Sequence, residues 1–326
     1  MPSPRLRVLA TLPVALLLAA CGSAGGAAGG SAEPTAGRLT VLTSFYPLQF
    51  LAEQVAGDHA EVGVLTSPGV DPHDVELTPR QVADLGAADL VVVQAGLQPA
   101  VDEAVAQQAP PRTLDVVAAA DLVALGESAA EHDEHADEEE ADDDAATAGH
   151  DHGAEDPHFW LDPLRYAAVA DAVAAELVEL DPANADDYLA NAQALTDELT
   201  RLDEEFTQGL ATCETRDVVT THEAFGYLGH RYDLHLIGIT GISPESEPSP
   251  ARLAEVTAQV RELGVSTIFT EPLLPSGIAE TVAQETGAAV LTLDPVEGIT
   301  ETSAGSDYLE VMRANLVSLR DGLGCA

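Results

Sequence analysis

The sequence predicts an α/β protein of two lobes, each a mainly parallel four-stranded sheet flanked by helices, joined by one long rigid helix. Across residues 38–121 short apolar, β-branched runs alternate with amphipathic helical runs, the pattern of a parallel sheet covered on both faces. The same alternation restarts beyond residue 211. Between the two, helical periodicity runs from Pro182 to about Leu210. At about 1.5 Å per residue such a helix is about 40 Å long, more than a small domain needs internally, so it reads as a strut.

Residues 1–21 read as an export signal. Arg5 and Arg7 form a basic start, residues 8–20 are an apolar core, and small residues precede Cys21. That core is too short to cross a bilayer as a helix. Leu18-Ala19-Ala20-Cys21 resembles the lipobox of bacterial lipoproteins, which implies that Cys21 is the lipidated first residue of a mature, membrane-anchored protein outside the cytoplasm. The Gly, Ala and Ser of residues 22–37 read as a flexible tether. Beyond Cys21 only Cys213 and Cys325 remain, an even pair in an exported chain that points to one disulfide.

A formal charge of −43 argues against nucleic acid as a partner, because a polyanion is repelled. All 13 basic side chains are arginine, so no phosphate-binding loop with its lysine can be completed.

The N-terminal lobe, residues 38–180, begins with expected strands at 39–43, 60–65, 90–93 and 113–116 and helices at 47–56, 79–87 and 97–106. The loop 66–73 follows the second strand, and ligand sites in such sheets lie beyond the carboxyl ends of strands. His73 sits there. Residues 127–155 are a low-complexity stretch carrying His132, His135, His150 and His152 among acids, with no basic residue. Such a segment cannot bury enough apolar surface to offset the entropy of ordering. It is expected to be a disordered loop whose imidazoles and carboxylates collect metal loosely. Next comes Asp156-Pro157-His158-Phe159-Trp160-Leu161-Asp162-Pro163, with the only tryptophan. Burial of Phe159, Trp160 and Leu161 fixes the adjacent His158 against a folded surface.

A helix over 164–180 leads to the linking segment 181–210, where Asp181 can cap and Pro182 can open the long helix. The C-terminal lobe, 211–326, has expected strands at 217–220, 234–239, 267–269 and 289–293, with helices near 223–230, 251–263, 276–286 and 308–323. His222 falls where the first of these strands ends and Asp294 where the last one ends. Two such lobes put His73 and His158 on one side of a cleft, His222 and Asp294 on the other.

Three stretches carry a resemblance. Asp71-Pro72-His73-Asp74-Val75-Glu76-Leu77-Thr78-Pro79, the stretch around His158, and Thr221-His222-Glu223-Ala224-Phe225-Gly226-Tyr227-Leu228 resemble the three histidine motifs of the zinc-binding lipoproteins that feed ABC importers. Thr270-Glu271-Pro272 and Leu293-Asp294-Pro295 resemble that family's last two landmarks. The resemblance implies two α/β lobes, Zn(II) as transported ligand in the cleft, and a monomer that delivers it to a membrane permease powered by a separate ATPase. It also implies that His73, His158 and His222 supply imidazole nitrogens and Asp294 a carboxylate oxygen. Glu271 is a candidate partner that orients a ligand histidine.

Three imidazoles and one carboxylate suit four-coordinate Zn(II), whereas Mn(II) favours more oxygen. Protons compete for imidazole, so capture should weaken below about pH 6.5. Other readings are a manganese-importer component, and a surface adhesin or metal buffer on the same fold. A zinc hydrolase fits poorly, because a fourth protein ligand occupies the position that water needs. His59, His230 and His235 read as surface or core residues, Glu223 as a weak candidate beside His222, and Phe45 and Tyr46 as walls of the cleft.

Overall fold

A computed structural model describes residues 38–123, 155–244 and 247–326. The expected signal with Cys21, the tether, and His132, His135, His150 and His152 lie outside the described residues. The first half contains β1 (Leu39–Thr43), α1 (Tyr46–Ala56), β2 (Ala60–Val64), α2 (Pro79–Leu85), β3 (Leu90–Val93), α3 (Pro99–Gln108), β4 (Thr113–Asp115) and α4 (Val117–Ala120). Two long helices follow, α5 (Pro163–Leu180) and α6 (Ala185–Gly209). The second half contains β5 (Asp217–Thr220), α7 (Gly226–Tyr232), β6 (His235–Gly238), α8 (Pro250–Leu263), β7 (Thr267–Thr270), α9 (Gly277–Thr286), β8 (Ala289–Thr292) and α10 (Tyr308–Leu323).

The two sheets share one topology. Their orders are β2-β1-β3-β4 and β6-β5-β7-β8, and every pairing is parallel. The central strands are buried on both faces, as in Leu90–Val93 and Thr267–Thr270, which explains their unbroken apolar or Thr-rich runs. In each sheet the chain reverses its winding beside the first strand, between β1 and β3 and between β5 and β7. Crevices form at the carboxyl ends of the strands at such points.

Helix starts follow local chemistry. The Thr78 hydroxyl and the Gln81 side chain cap each other's backbone at α2, and Pro79, Pro99, Pro163 and Pro250 occupy early positions where a missing N–H costs nothing. Asp162 accepts from the N–H groups of Leu164 and Arg165 and so fixes where the His158 segment turns into α5. The short α4 was not expected, since its four apolar residues are too few for periodicity to register.

The expected strut differs in one respect. The long helix α6 lies along α5 and touches α1 and α10, burying Tyr188, Leu195, Leu199, Leu202 and Phe206. These belong to one hydrophobic core that also takes in Val41, Phe45 and Leu51 from the first half and Val218, Phe225, Phe269 and Tyr308 from the second. Two smaller clusters lie elsewhere on the sheets, one around Leu85 and Val91 and one around Val256 and Ile268. Cys213 and Cys325 form a disulfide that ties the segment after α6 to the end of α10. Among the described residues no helix is long and apolar enough to cross a membrane.

Candidate metal centre

His73 lies in a single 3-10 turn, Pro72–Asp74, beyond β2. The Asp71 carboxylate caps that turn by accepting from the His73 N–H at 2.8 Å. His158 immediately precedes another 3-10 turn, Phe159–Leu161, whose three side chains are fully buried. Asp156 Oδ1 accepts from the His158 backbone N–H at 3.0 Å and meets its Nδ1 at 2.8 Å, which aims Nε2 the other way. Gln94 Nε2 donates to the Pro157 carbonyl at 2.8 Å and braces the same segment from the end of β3.

His222 comes two residues after β5, with Glu271 just past β7, so the pair straddles the winding reversal of the second sheet. The His222 N–H donates to Glu271 Oε1 at 3.1 Å, and its Nδ1 lies 2.6 Å from Glu271 Oε2, off the line of a good hydrogen bond. Glu271 thus holds the His222 backbone and lies against its Nδ1.

A fourth group completes the arrangement. Glu297, in the loop after β8, puts Oε1 at 3.3 Å from His73 Nε2, 3.4 Å from His158 Nε2 and 3.7 Å from His222 Nε2. The His73 and His158 Nε2 atoms are themselves 3.3 Å apart. All four ligand atoms lie within 4.8 Å of one another. Ligands at about 2.05 Å from a tetrahedral centre are about 3.3 Å from each other; the spacings among His73, His158 and Glu297 are close to that, and His222 stands somewhat farther out. Neither His222 Nε2 nor Glu297 Oε1 has a hydrogen-bond partner, although both are buried. Buried lone pairs converging without partners are the mark of a cation site.

The electrostatics fit this picture. Burial alone pushes the Glu297 carboxyl up, but the three surrounding imidazoles hold it well below the usual carboxylate range. For His222, burial works against the charged form, yet Glu271 and then Glu297 raise its pKa to about 10. His158 is likewise disfavoured by burial and raised on balance by Asp156 and Glu297. Without metal, protons hold these imidazoles beside the carboxylates; a cation takes their place.

The structure thus brings His73, His158 and His222 together, and the carboxylate it adds to them is Glu297, three residues beyond Asp294. Asp294 is not a member of that group. It is buried, its Oδ1 accepts from the Val296 N–H at 2.8 Å, and its Oδ2 has no partner. Its backbone is clamped by Asn315, which accepts from the Asp294 N–H and donates to its carbonyl. Burial, with Glu297 and Glu271 nearby, pushes the Asp294 carboxyl up to about 6. Glu223 is exposed and outside the group. His59 meets Asp187, His235 meets Asp217, and His230 is on the surface. Phe45 packs edge-on against Trp160, and Tyr46 lines a small cavity beside Glu297.

The profile of the family described as "Zinc-uptake complex component A periplasmic" matches residues 41–322. The chain belongs to this family. Among its relatives, the high-affinity zinc uptake system protein ZnuA of Bacillus subtilis is 33% identical over 311 residues, covering 94% of each chain. The zinc-binding protein AdcA of Streptococcus pyogenes is 32% identical over 288 residues, which are 87% of this chain. The chain spans 56% of the length of that curated relative. Among solved structures, the laminin-binding protein Lbp of Streptococcus pyogenes superposes with a TM-score of 0.72 at 32% identity, covering 87% of this chain and 99% of its own.

Glu297 is the residue that sequence reasoning missed in this member of the zinc-uptake component A family. A strand-end rule picks out a loop, and within Asp294-Pro295-Val296-Glu297 two acids compete. The first acid turns back to cap its own loop, a habit of Asp, while the longer Glu side chain reaches the histidines. That contrast in side-chain length was the available signal.

Proposed function

We propose that this protein captures one Zn(II) ion between its two sheets and hands it to an ABC permease for import, acting as a binding protein and not as an enzyme. The proposed ligands are His73, His158 and His222 through Nε2 and Glu297 through one carboxylate oxygen, with Asp294 placed behind them. The observation that carries the reading is the convergence of three imidazole nitrogens and one unpartnered, buried carboxylate oxygen, all within 4.8 Å of one another and so close enough to share one ion. A nitrogen-rich, four-ligand set favours Zn(II) over Mn(II), which prefers more oxygen. Four protein ligands leave no open position for a catalytic water.

The names of its relatives support zinc as the cargo. Lipidation at Cys21 would hold the protein at the outer face of the membrane, where a monomer can meet the permease, and the separate ATPase would power the transfer. The acidic, His-rich stretch from 127 to 155 would serve as an auxiliary collector. A second reading, a surface adhesin on the same scaffold, is favoured by the likeness to a laminin-binding protein.

Metal analysis of the purified full chain tests the proposal. One tightly held zinc per molecule is expected, retained when residues 127–155 are deleted and lost in His73→Ala and His222→Ala. Zinc that disappears with the deletion, or survives both alanine substitutions, overturns it.

A further inference from the structure

The loop that carries Glu297 is held from α10 by a side chain outside the histidine cluster. Asn315 lies within α10 and is 3% exposed, a position where an apolar residue would pack without needing partners. Both ends of its amide go to the backbone of one residue. Its Oδ1 accepts from the Asp294 N–H at 2.8 Å and its Nδ2 donates to the Asp294 carbonyl at 2.6 Å. The orientation of the amide is fixed, because a backbone N–H only donates and a carbonyl only accepts. The sheet explains the need for such a hold. β8 is an edge strand, and the Leu293 N–H donates to the carbonyl of Thr270, the final residue of β7. One residue further on, Asn315 takes the place of a neighbouring strand.

Beyond Asp294 the chain adopts a conformation that has to be enforced. Val296 has φ +59°, in the left-handed region, where a β-branched side chain crowds its own backbone. Glycine would adopt it freely, whereas the Val296 side chain is fully buried in the core that also holds Trp160. The Val296 N–H donates to Asp294 Oδ1 at 2.8 Å, and the Pro295 carbonyl accepts from Trp160 Nε1 at 2.7 Å. Strain of this kind persists only where the surroundings over-determine it, and it concentrates at ligand sites. The next residue is Glu297, 2% exposed, with Oε1 among the three histidines and accepting no hydrogen bond. A buried carboxylate short of donors moves toward water if its backbone gives way, so its place depends on the turn before it.

We propose that Asn315 is a positioning residue for the metal centre. Its hold on Asp294 anchors the left-handed turn at Val296 and so sets how far the Glu297 carboxylate reaches toward His73, His158 and His222. The inference rests on the reading of Glu297 as a ligand. A packing role for Asn315 would act on the whole fold; a positioning role acts on the metal through Glu297.

Thermodynamic coupling separates these two roles. Zinc affinity of the full chain is measured by chelator competition in Asn315→Leu, Glu297→Gln and the double variant. Leucine has nearly the same size as asparagine and removes both hydrogen bonds. Asn315→Leu is expected to weaken zinc binding about tenfold when Glu297 is present. In the Glu297→Gln background the same change should cost less than about twofold, because no anionic ligand is left to misplace. Leu319→Ala, which empties space one turn along the buried side of α10, controls for general loosening. It should lower the urea midpoint and change affinity less than about twofold. Equal losses from Asn315→Leu in both backgrounds, no loss when Glu297 is present, or an equal loss from Leu319→Ala overturns the positioning role. Should Asn315→Leu not fold, Asn315→Asp, which keeps the acceptor and loses the donor, decides by the same comparison. Zinc held as tightly by Glu297→Gln as by the wild type refutes the ligand reading, and the positioning role falls with it.

Discussion

Trp160 Nε1 donates a 2.7 Å hydrogen bond to the carbonyl of Pro295, joining the turn that presents His158 to the loop that presents Glu297. The Tyr308 hydroxyl, on α10, donates to the Trp160 carbonyl at 2.5 Å, so Trp160 is held through its indole and through its backbone. Replacing Trp160 by Phe leaves the Pro295 carbonyl buried and unpaired and a gap beside Phe45. We expect Trp160→Phe to lose about 2–4 kcal/mol of stability in urea unfolding and to weaken zinc binding about tenfold. Unchanged affinity in chelator competition would show that the two ligand loops are set independently.

Two acids three residues apart should behave in opposite ways. Glu297→Gln is expected to weaken zinc binding by roughly 100-fold or more, since it replaces an anionic ligand with a neutral one. Asp294→Asn should change affinity by less than about fivefold, because the asparagine Oδ1 still accepts from the Val296 N–H. Its effect falls on the metal-free fold. Asp294 is raised from 3.8 to about 6, so its contribution to stability is fully present below about pH 4 and lost as pH rises through about 6. Asp294→Asn removes that loss and should stabilise the metal-free protein at pH 7.5 by up to about 3 kcal/mol, read from urea unfolding at pH 4 and 7.5.

Glu271 has no place in the cluster itself, yet it holds both the backbone and Nδ1 side of His222. Glu271→Gln should lower zinc affinity about 10- to 100-fold while leaving four ligands on the metal. X-ray absorption of the loaded variant checks this, and a lost histidine ligand would contradict a purely orienting role.

Proton release is the signature of the raised imidazoles. His222 goes from 6.5 to about 10, so its stabilisation of the metal-free fold is complete below about pH 6.5 and disappears as pH rises through about 10. A cation binding at pH 7.5 must displace that proton. Calorimetry in buffers of different ionisation enthalpy should show at least about one proton released per metal, and affinity should climb from pH 6.5 to about 10. This window lies above the one that ordinary imidazoles imply, and a zero proton count at pH 7.5 would contradict it.

Much of this was legible beforehand for physical reasons. Parallel strands buried on both faces, such as Leu90–Val93, stand out as short apolar runs, whereas the cap read at Asp181 is not one: Pro182–Asn184 forms a 3-10 turn and α6 begins at Ala185. His73, His158 and His222 were visible because each sits in a strongly marked local context. Glu297 was not, because what selects it is how far its side chain reaches toward groups more than seventy positions away. The depth at which α6 is embedded was hidden too, since periodicity reports a buried face but not whose side chains cover it.

Because a single core serves both sheets, the molecule has no seam along which to come apart. Expressed separately, each half would turn a raw apolar face of α5 or α6 to water and aggregate, so truncation or permutation has to keep the core-forming elements of both halves together. Heating should accordingly give one calorimetric peak and not two, and ligation at the centre should move that peak as a unit.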